Sequence, residues 1–162
     1  MSEVQSASNT LRLPDRGAPF FVPTADIERH WSAIEFVLKQ TENWTQAIAA
    51  TEIFDYLKDG RAQAWGIIDQ ADQLSLIITR LTDTARGRLC TAWVFIPVSA
   101  QDEASIGALL DSVEAYARSK AAVALEMTTA PWLAEKINAH LSRAKATAAI
   151  LELDLRSPRS TN

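Results

Sequence analysis

Residues 89–127 read LCTAWVFIPVSAQDEASIGALLDSVEAYARSKAAVALEM and decide the fold of this chain. Leu89–Ile96 is apolar almost throughout, which is typical of a strand covered on both faces. Apolar residues then recur at helical spacing over Ala104–Ala121, and Val123–Met127 is a second short apolar strand. If these two strands are parallel, the helix between them makes a right-handed crossover. The stretch therefore predicts the centre of a sheet that is flanked by helices.

The chain on either side adds further strands and helices to this centre. Upstream, the patterns predict an edge strand at Phe20–Val22 and a helix capped by Thr24, with Ile27, Trp31, Ile34 and Leu38 on one face. A second helix is predicted within Trp44–Lys58. Strands follow at Arg61–Ile68 and Gln73–Leu81, and then a polar connection at Asp83–Arg88. Downstream, they predict a helix at Pro131–Arg143 and one strand at Ala146–Leu155. The fold class is α/β (α+β), with one domain at residues 18–155 between a polar N-terminal arm, 1–17, and a polar tail, 156–162.

Composition and charge indicate a globular protein without a nucleic-acid surface. The 162 residues are 48% hydrophobic and 22% charged, which suits one core of ordinary size. The net charge of −4 and the lack of a basic stripe argue against nucleic-acid binding. No segment approaches the roughly 18 consecutive apolar residues of a membrane span, and Met1–Asn9 lacks the features of a secretory signal. We expect a soluble protein of the cytoplasm, or of a particle assembled there.

Cys90 is the single cysteine, so the chain forms no intramolecular disulfide. This mildly favours a reducing compartment. Because Cys90 lies within an apolar strand, we expect a small core residue and not a nucleophile.

Three short motifs and the order of elements resemble a known fold. The motifs are Thr51–Gly60 followed by Gln63-Ala64-Trp65-Gly66, Val113–Ala117 within a helix, and Pro131-Trp132 with Leu141. The order of elements over Phe20 to Leu155 resembles the GCN5-related N-acetyltransferase (GNAT) fold, and the motifs are similar to those of the GNAT-like proteins of tailed bacteriophages. The resemblance implies a central mixed sheet flanked by helices in a single domain. It also implies acetyl-CoA as the cofactor of an active member, a phage or host protein as the partner of an inactive one, and a location in the host cytoplasm or the virion.

The chain departs from this family where the cofactor is expected. GNAT enzymes carry Gln/Arg-x-x-Gly-x-Gly/Ala after the central strand, whereas Pro97–Ala104 has no glycine and contains Asp102 and Glu103. A diphosphate needs bare backbone N–H groups at a helix start and little negative charge nearby. At an effective dielectric near 20, a unit charge about 4 Å away costs on the order of 4 kcal/mol. The alternative interpretation is that Ser99 or Asp102 caps the helix and the carboxylates complement its dipole. If CoA binds, the expected contacts are Val98, Ser99, Ala100, Gln101, Asp102, Glu103 and Ala104.

No catalytic residue stands out, and Glu126 and His140 are the two candidates. Glu126 lies in the strand beside which a GNAT substrate approaches the acyl carbonyl, where a carboxylate can accept a proton from an amine. Its alternative is a carboxylate that faces solvent or an arginine. His140 is a candidate acid or base because histidine ordinarily titrates near neutrality, and its alternative is a surface residue without a partner. The two histidines and Cys90 are far apart in sequence, so no metal site is predicted.

Five tryptophans are many for a chain of this length. Trp31 and Trp93 fit apolar patterns and are predicted in the core. Trp44 lies in a polar connection and Trp132 opens a helix, so both are candidates for a protein interface, where exposed tryptophans are favoured anchors.

Three functions are compatible with these observations. The favoured one is a GNAT-fold protein that has lost acetyl-CoA catalysis and acts through protein contacts, in phage morphogenesis, in the virion, or on a host protein. It rests on the glycine-free turn and on the absence of tyrosine from Pro131–Arg143, the helix from which GNAT enzymes commonly take one. The alternative is an acyl-CoA-dependent N-acetyltransferase with a divergent pyrophosphate loop, because positioning requires few invariant side chains. A third is a regulatory module that binds another metabolite in the cleft.

Overall fold

The computed structural model describes residues 14–40, 49–97, 103–129, 131–140, 144–147 and 150–154, and only the backbone of 131–132, 144–147 and 150–154. Within these residues the helices are α1 Ile27–Lys39, α2 Ala50–Lys58, α3 Glu103–Ser119 and α4 Pro131–His140. The strands are β1 Phe20–Val22, β2 Gln63–Ile68, β3 Leu74–Thr84, β4 Gly87–Ile96, β5 Ala122–Thr128, β6 Ala144–Thr147 and β7 Ile150–Asp154.

The described strands form one mixed sheet. Its order is β1-β2-β3-β4-β5-β7-β6, and each neighbouring pair is antiparallel except β4 and β5, which are parallel. The connection from β4 to β5 runs through α3, as residues 89–127 predicted. The predicted fold class, a domain with a central mixed sheet flanked by helices, is therefore confirmed.

Strand alternation divides the buried side chains between the two faces of the sheet. In β3, Ile77 belongs to a core cluster with α3 and α4, whereas Leu76 and Ile78 belong to a cluster with α1 and α2. We call these two sides the α3 face and the α1 face. Burying a leucine or isoleucine side chain contributes roughly 1.5–3 kcal/mol, so both faces stabilise the sheet. The largest fully buried side chains of the described helices are Leu109, Leu110, Leu133 and Ile137 on the α3 face, and Ile27, Ile53 and Leu57 on the α1 face.

Local chemistry sets the ends of several elements. Gly60 follows α2 with a φ of +71°, a left-handed conformation that glycine adopts without strain. Asp69 closes the β2–β3 turn, because its Oδ1 accepts hydrogen bonds from the N–H groups of Ala71 and Gln73, each at 2.8 Å. At the edge of the sheet, β1 is only three residues long and lies between two prolines, as the sequence predicted.

Two predictions about the strands are wrong, one of a strand and one of a connection. The predicted single strand Ala146–Leu155 is instead the antiparallel hairpin of β6 and β7, with Thr147 opposite Ile150. The predicted polar connection Asp83–Arg88 is mostly strand, since pairing of β3 with β4 continues to Thr84 and Gly87. Its polar residues lie at the exposed tip of a hairpin, where they need no apolar environment.

The start of α1 also differs from the prediction. Thr24 opens a short 3-10 helix, Thr24–Asp26, and α1 begins after it with Asp26 as the preceding residue and no side-chain capping hydrogen bond. Trp31 and Trp93 lie at the margin of the α1-face core, where both are half-buried. Trp31 packs on Phe54 with ring centroids 4.8 Å apart. Residues 1–13 of the predicted arm and the whole tail, 156–162, lie outside the described residues.

Candidate functional site

A gap opens between the two parallel strands at the centre of the sheet. The pairing of β4 with β5 ends at Ala92 and Met127, yet β4 continues to Ile96. On the other side of β5, pairing with β7 continues to Thr128. Beyond Ala92 the backbone N–H and C=O groups of β4 that point toward β5 therefore form no ladder hydrogen bonds with that strand.

A β-bulge in β4 accompanies the separation of the strands. Ile78 lies opposite Val94, whereas the next residue, Thr79, lies opposite Ala92, so Trp93 is the extra residue in the β3–β4 ladder. A bulge bends its strand and increases the local twist. The bend occurs directly after the last β4–β5 pair, and it accounts for the divergence of the two strands.

The start of α3 carries an ion pair with α4. Nζ of Lys136 donates a hydrogen bond to Oε1 of Glu103 at 2.8 Å. This hydrogen bond, together with the positive charge of Lys136, lowers the pKa of the Glu103 carboxyl. The carboxylate of Glu103 is exposed, and its charge is offset by a neighbouring cation.

One turn further along, His140 of α4 rests on the backbone of α3. A Cβ atom built on Gly107 would lie 2.6 Å from Cε1 of His140, so the imidazole occupies space that only a glycine leaves open. Nε2 of His140 lies 3.1 Å from Oδ1 of Asp111. His140 is an exposed residue, as its alternative interpretation expected, and its contact with Asp111, which the sequence did not identify, joins the two helices.

Two buried polar atoms have no hydrogen-bond partner among the described residues: Oγ1 of Thr129, just after β5, and Oδ1 of Asn138, on α4. Thr129 lies two residues beyond Met127, where the strands have separated, and Asn138 follows Ile137, which shares a core cluster with Met127. Buried polar groups are nearly always hydrogen-bonded, because an unpaired one costs about 1–3 kcal/mol. The amide oxygen of Asn138 is an acceptor and the hydroxyl of Thr129 is both donor and acceptor, so a polar ligand group that reached them would satisfy both.

Glu126 faces the other side of the gap. Its neighbours Leu125 and Met127 are buried in the α3-face cluster, so strand alternation directs Glu126 to the α1 face. It is half-buried and lies one residue before the last β4–β5 pair. Among the described residues it makes no hydrogen bond or ion pair. The carboxylate therefore retains its capacity to accept a proton or a hydrogen bond from a ligand.

Arg80 lies in the same row as Glu126 on the α1 face, and two aromatic side chains lie beside Arg80. Arg80 of β3 is opposite Thr91 of β4, which is opposite Glu126 of β5, so the three residues lie side by side across three strands. The guanidinium of Arg80 lies 4.5 Å from the ring centroid of Trp93 and 5.8 Å from that of Tyr56. The two rings contact each other edge-on, with centroids 4.8 Å apart.

Only part of the expected CoA loop is described. Glu103 and Ala104 are exposed residues at the start of α3, whereas Val98, Ser99, Ala100, Gln101 and Asp102 lie outside the described residues. The same holds for Trp44, and Trp132 is described by its backbone alone, in the first turn of α4. The two predicted interface residues therefore stay predictions.

Cys90 does not contribute a reactive group. Its side chain is fully buried in the α3-face core, and burial raises the pKa of the thiol to about 12. Such a thiol carries almost no thiolate at neutral pH, so it is not a nucleophile. Among the described residues, no three His, Cys, Asp or Glu side chains are grouped as metal ligands. None of the described helices combines the length and apolar character needed to cross a membrane.

The sequence did not single out Arg80, Tyr56 or Thr129. The first two come together only through the packing of α2 on β3, and Thr129 is marked by an unpaired atom, which sequence does not show. A signal for Arg80 was present: it interrupts the apolar run Leu74–Leu81 at a position that alternation assigns to a covered face.

Comparison with known proteins places the fold. No protein-family model matches the sequence, and no curated protein matches it. Among solved structures, a protein described as a probable acetyltransferase matches with a TM-score of 0.59 at 12% identity, over 89% of this chain and 95% of its own. The putative acyl-CoA N-acyltransferase from Klebsiella pneumoniae subsp. pneumoniae MGH 78578 matches at a TM-score of 0.49 and 13% identity, over 85% of this chain and 97% of its own.

Likeness at these identities concerns the fold alone, and the second match is too distant to add weight. Neither description mentions a phage, so the resemblance to phage proteins stays a prediction. The parallel β4–β5 pair joined through α3, the gap beyond it and the likeness over 89% of the chain agree with one another. The chain has the GNAT acetyltransferase fold.

Proposed function

We propose that the protein is an acyl-CoA-dependent N-acyltransferase in which Glu126 is the general base. The observation that carries this proposal is the separation of β4 and β5 immediately beyond a half-buried carboxylate without a partner in the described residues. A ligand lying in this gap reaches both faces of the sheet. The two reactants of an acyl transfer can therefore meet there from opposite sides.

The chain's own residues divide the work between the two faces. A bound acyl-CoA supplies a thioester, which is an acyl group activated for attack by an amine. Because primary amines are mostly protonated at neutral pH, Glu126 accepts the proton that the ammonium must lose before it can attack. Formation of the C–N bond would then break the thioester C–S bond, and the departing thiolate would take the second proton from the nitrogen and leave as free CoA. On the α3 face, Thr129 and Asn138 offer hydrogen bonds that hold the acyl donor in place. Holding two reactants in a suitable geometry supplies much of the rate enhancement in such reactions.

The start of α3 is also compatible with a diphosphate. From the sequence, Glu103 was expected to repel this group, but its carboxylate is paired with Lys136 at 2.8 Å. The two residues together carry no net charge, so the electrostatic objection does not apply to Glu103.

A second function is supported by the sequence of the loop before α3. Pro97–Ala104 has no glycine, and α4 has no tyrosine. Both observations favour a GNAT-fold protein that has lost catalysis and acts through contacts with a phage or host protein. In that case Trp44 and Trp132 are the proposed contact residues.

Calorimetric titration with acetyl-CoA separates the two functions. We expect the wild type and Glu126→Gln to bind acetyl-CoA with similar micromolar affinity, because Glu126 lies on the acceptor side of the gap. Turnover with an amine panel is expected to fall by about 10²- to 10⁴-fold in Glu126→Gln, the usual contribution of a general base. The control is Glu135→Gln, an exposed residue of α4 with the same change of charge.

Each result has a definite meaning. Wild-type protein that does not bind acetyl-CoA contradicts the acyltransferase and supports the contact function. Binding without CoA release across the panel also contradicts N-acyl transfer. Full turnover by Glu126→Gln would remove Glu126 from the mechanism.

A further inference from the structure

We infer that Arg80 anchors an acceptor subsite on the α1 face and that the acceptor is a small amine carrying a carboxylate at the other end of a flexible chain. The inference rests on the proposed N-acyl transfer and specifies the class of acceptor. It adds a substrate-binding residue, Arg80, to the proposed base, Glu126.

Arg80 is held in a defined position. Its guanidinium stacks on Trp93 at 4.5 Å, and its Nε donates a hydrogen bond to Oγ1 of Thr82 at 3.3 Å. The side chain is half-buried in this arrangement. An arginine fixed by stacking loses little conformational entropy on binding, and its planar fork matches a carboxylate in bidentate geometry.

Arg80 is a cation without a counter-ion in the described part of the chain. The other charged residues of this surface are paired: Arg61 with Asp59, and Asp83 with Arg88, each at 2.8 Å. Arg88 also lowers the pKa of Asp83, so this carboxylate stays ionised and committed to its partner. Arg80 forms no ion pair with any described residue. The described contacts of Arg80 are with neutral groups, the rings of Trp93 and Tyr56 and the hydroxyl of Thr82, so its positive charge is available to an anionic ligand.

The position of Arg80 relative to Glu126 fixes the kind of ligand. The two residues lie in the same row, on strands that are separated by one intervening strand. With neighbouring strands about 4.8 Å apart, their Cα atoms are on the order of 10 Å apart. An amine beside Glu126 and an anion beside Arg80 are therefore several bonds apart in one molecule.

The surface next to Arg80 has room for the anionic end. A cavity of about 530 Å³ is lined by Arg80, Tyr56 and Arg61, among other residues. Its acidic wall residue, Asp83, is neutralised by Arg88. A carboxylate entering this cavity meets one unpaired cation and no unpaired acid among the described lining residues.

The test compares acids with their uncharged analogues. The ligands are ω-amino acids from 4-aminobutyrate to 8-aminooctanoate, each beside the matching ω-amino amide, and binding is followed by ligand-observed NMR without turnover. We expect the wild type to bind the acids about 10- to 100-fold more tightly than the amides, the range for hydrogen bonds to charged groups. Arg80→Gln should abolish this preference, and Arg80→Lys should retain part of it.

Arg61→Gln is the matched control, because it removes an arginine from the same cavity whose charge is already paired with Asp59. It should keep the preference for acids. An unchanged preference in Arg80→Gln, with or without a lower melting temperature, would assign Arg80 a packing role and overturn the inference. The binding data distinguish this result from a failure of the proposed function. If the protein prefers the acids but transfers no acyl group, only the proposed function is contradicted. If it transfers an acyl group but does not prefer the acids, only the inference about Arg80 is contradicted.

Discussion

At the N-terminal end of α3, the carboxylate of Glu103 forms an ion pair with Lys136. Replacing Glu103 by glutamine removes an anion and releases Lys136 from this ion pair. Since the pair is exposed, water screens it and the electrostatic effect is small. We expect Glu103→Gln to bind CoA about 1.5- to 5-fold more tightly, with a difference that shrinks as salt is added. Calorimetric titration at two ionic strengths measures it.

The control for this change is again Glu135→Gln, which alters the net charge equally from an exposed position on α4. Equal affinities of the two variants would contradict a diphosphate site at the start of α3.

Single residues were predictable where strand alternation decides their position. Glu126 was selected as a candidate because of its strand, and its direction follows from its apolar neighbours Leu125 and Met127. The partners of Arg80 were not predictable, because Trp93 reaches it through a bulge that shifts the β3–β4 register. The register depends on how two strands pair, so the residues of one strand do not determine it.

At the scale of elements, the contact of α3 with α4 depends on the absence of a side chain at Gly107. In the wild type, Gly107→Ala should lower the free energy of unfolding by about 1 kcal/mol, because the new methyl group displaces the ring of His140. In a His140→Ala background, the same change should raise it by about 0.5–1 kcal/mol, because alanine favours helix more than glycine does. Urea denaturation of the four proteins gives both values.

This reversal of sign is the diagnostic result. If Gly107→Ala costs the same in both backgrounds, the obstacle is not the His140 ring, and the two helices are joined in another way.

Elements with a strong hydrophobic period were predicted well, and elements without a turn signal were not. Residues 89–127 gave β4, α3 and β5 within a few residues of their ends. The β6–β7 hairpin was missed because the two residues between its strands, Ala148 and Ala149, carry none of the usual turn chemistry. Asp83–Arg88 has the polar composition of a loop although most of it is strand. The reason is that the tip of this hairpin is exposed to solvent, where Asp83 and Arg88 form an ion pair.

Across the whole molecule, the buried thiol of Cys90 links stability to alkaline pH. Burial raises its pKa from 9.0 to about 12, so the unfolded chain ionises first as the pH rises. The contribution of the neutral thiol is fully present below pH 9 and is lost between pH 9 and about 12, by about 1.4 kcal/mol per pH unit. We expect the free energy of unfolding of Cys90→Ala to fall less steeply over this window.

Urea denaturation of both proteins as a function of pH measures the difference in slope. Tyr116 contacts the same core, and its pKa is raised by burial and also by the charge of Cys90. Its titration therefore differs between the two proteins, and the comparison is made in a Tyr116→Phe background, where this contribution is absent. Parallel curves would show that the thiol is accessible to water in the folded state.

The fold of the whole chain was predictable from the order of its elements, whereas the site was predictable only in part. The order follows from periodicity within each segment. The gap between β4 and β5 arises because strands that pair up to Ala92 then diverge at the bulge. The sequence favoured a loss of catalysis because Pro97–Ala104 lacks glycine and Pro131–Arg143 lacks tyrosine. The ion pair of Glu103 with Lys136 depends on the packing of α3 against α4, which neither stretch reveals by itself.

The short edge strand β1 has one more consequence, for the behaviour of the protein at high concentration. Pro19 and Pro23, which flank it, have no N–H group to donate. A second copy that approached this edge could form at most a three-residue ladder before meeting a proline on either side. Two copies therefore cannot extend their sheets into a continuous fibre through β1, and polymerisation by strand addition is blocked at this margin.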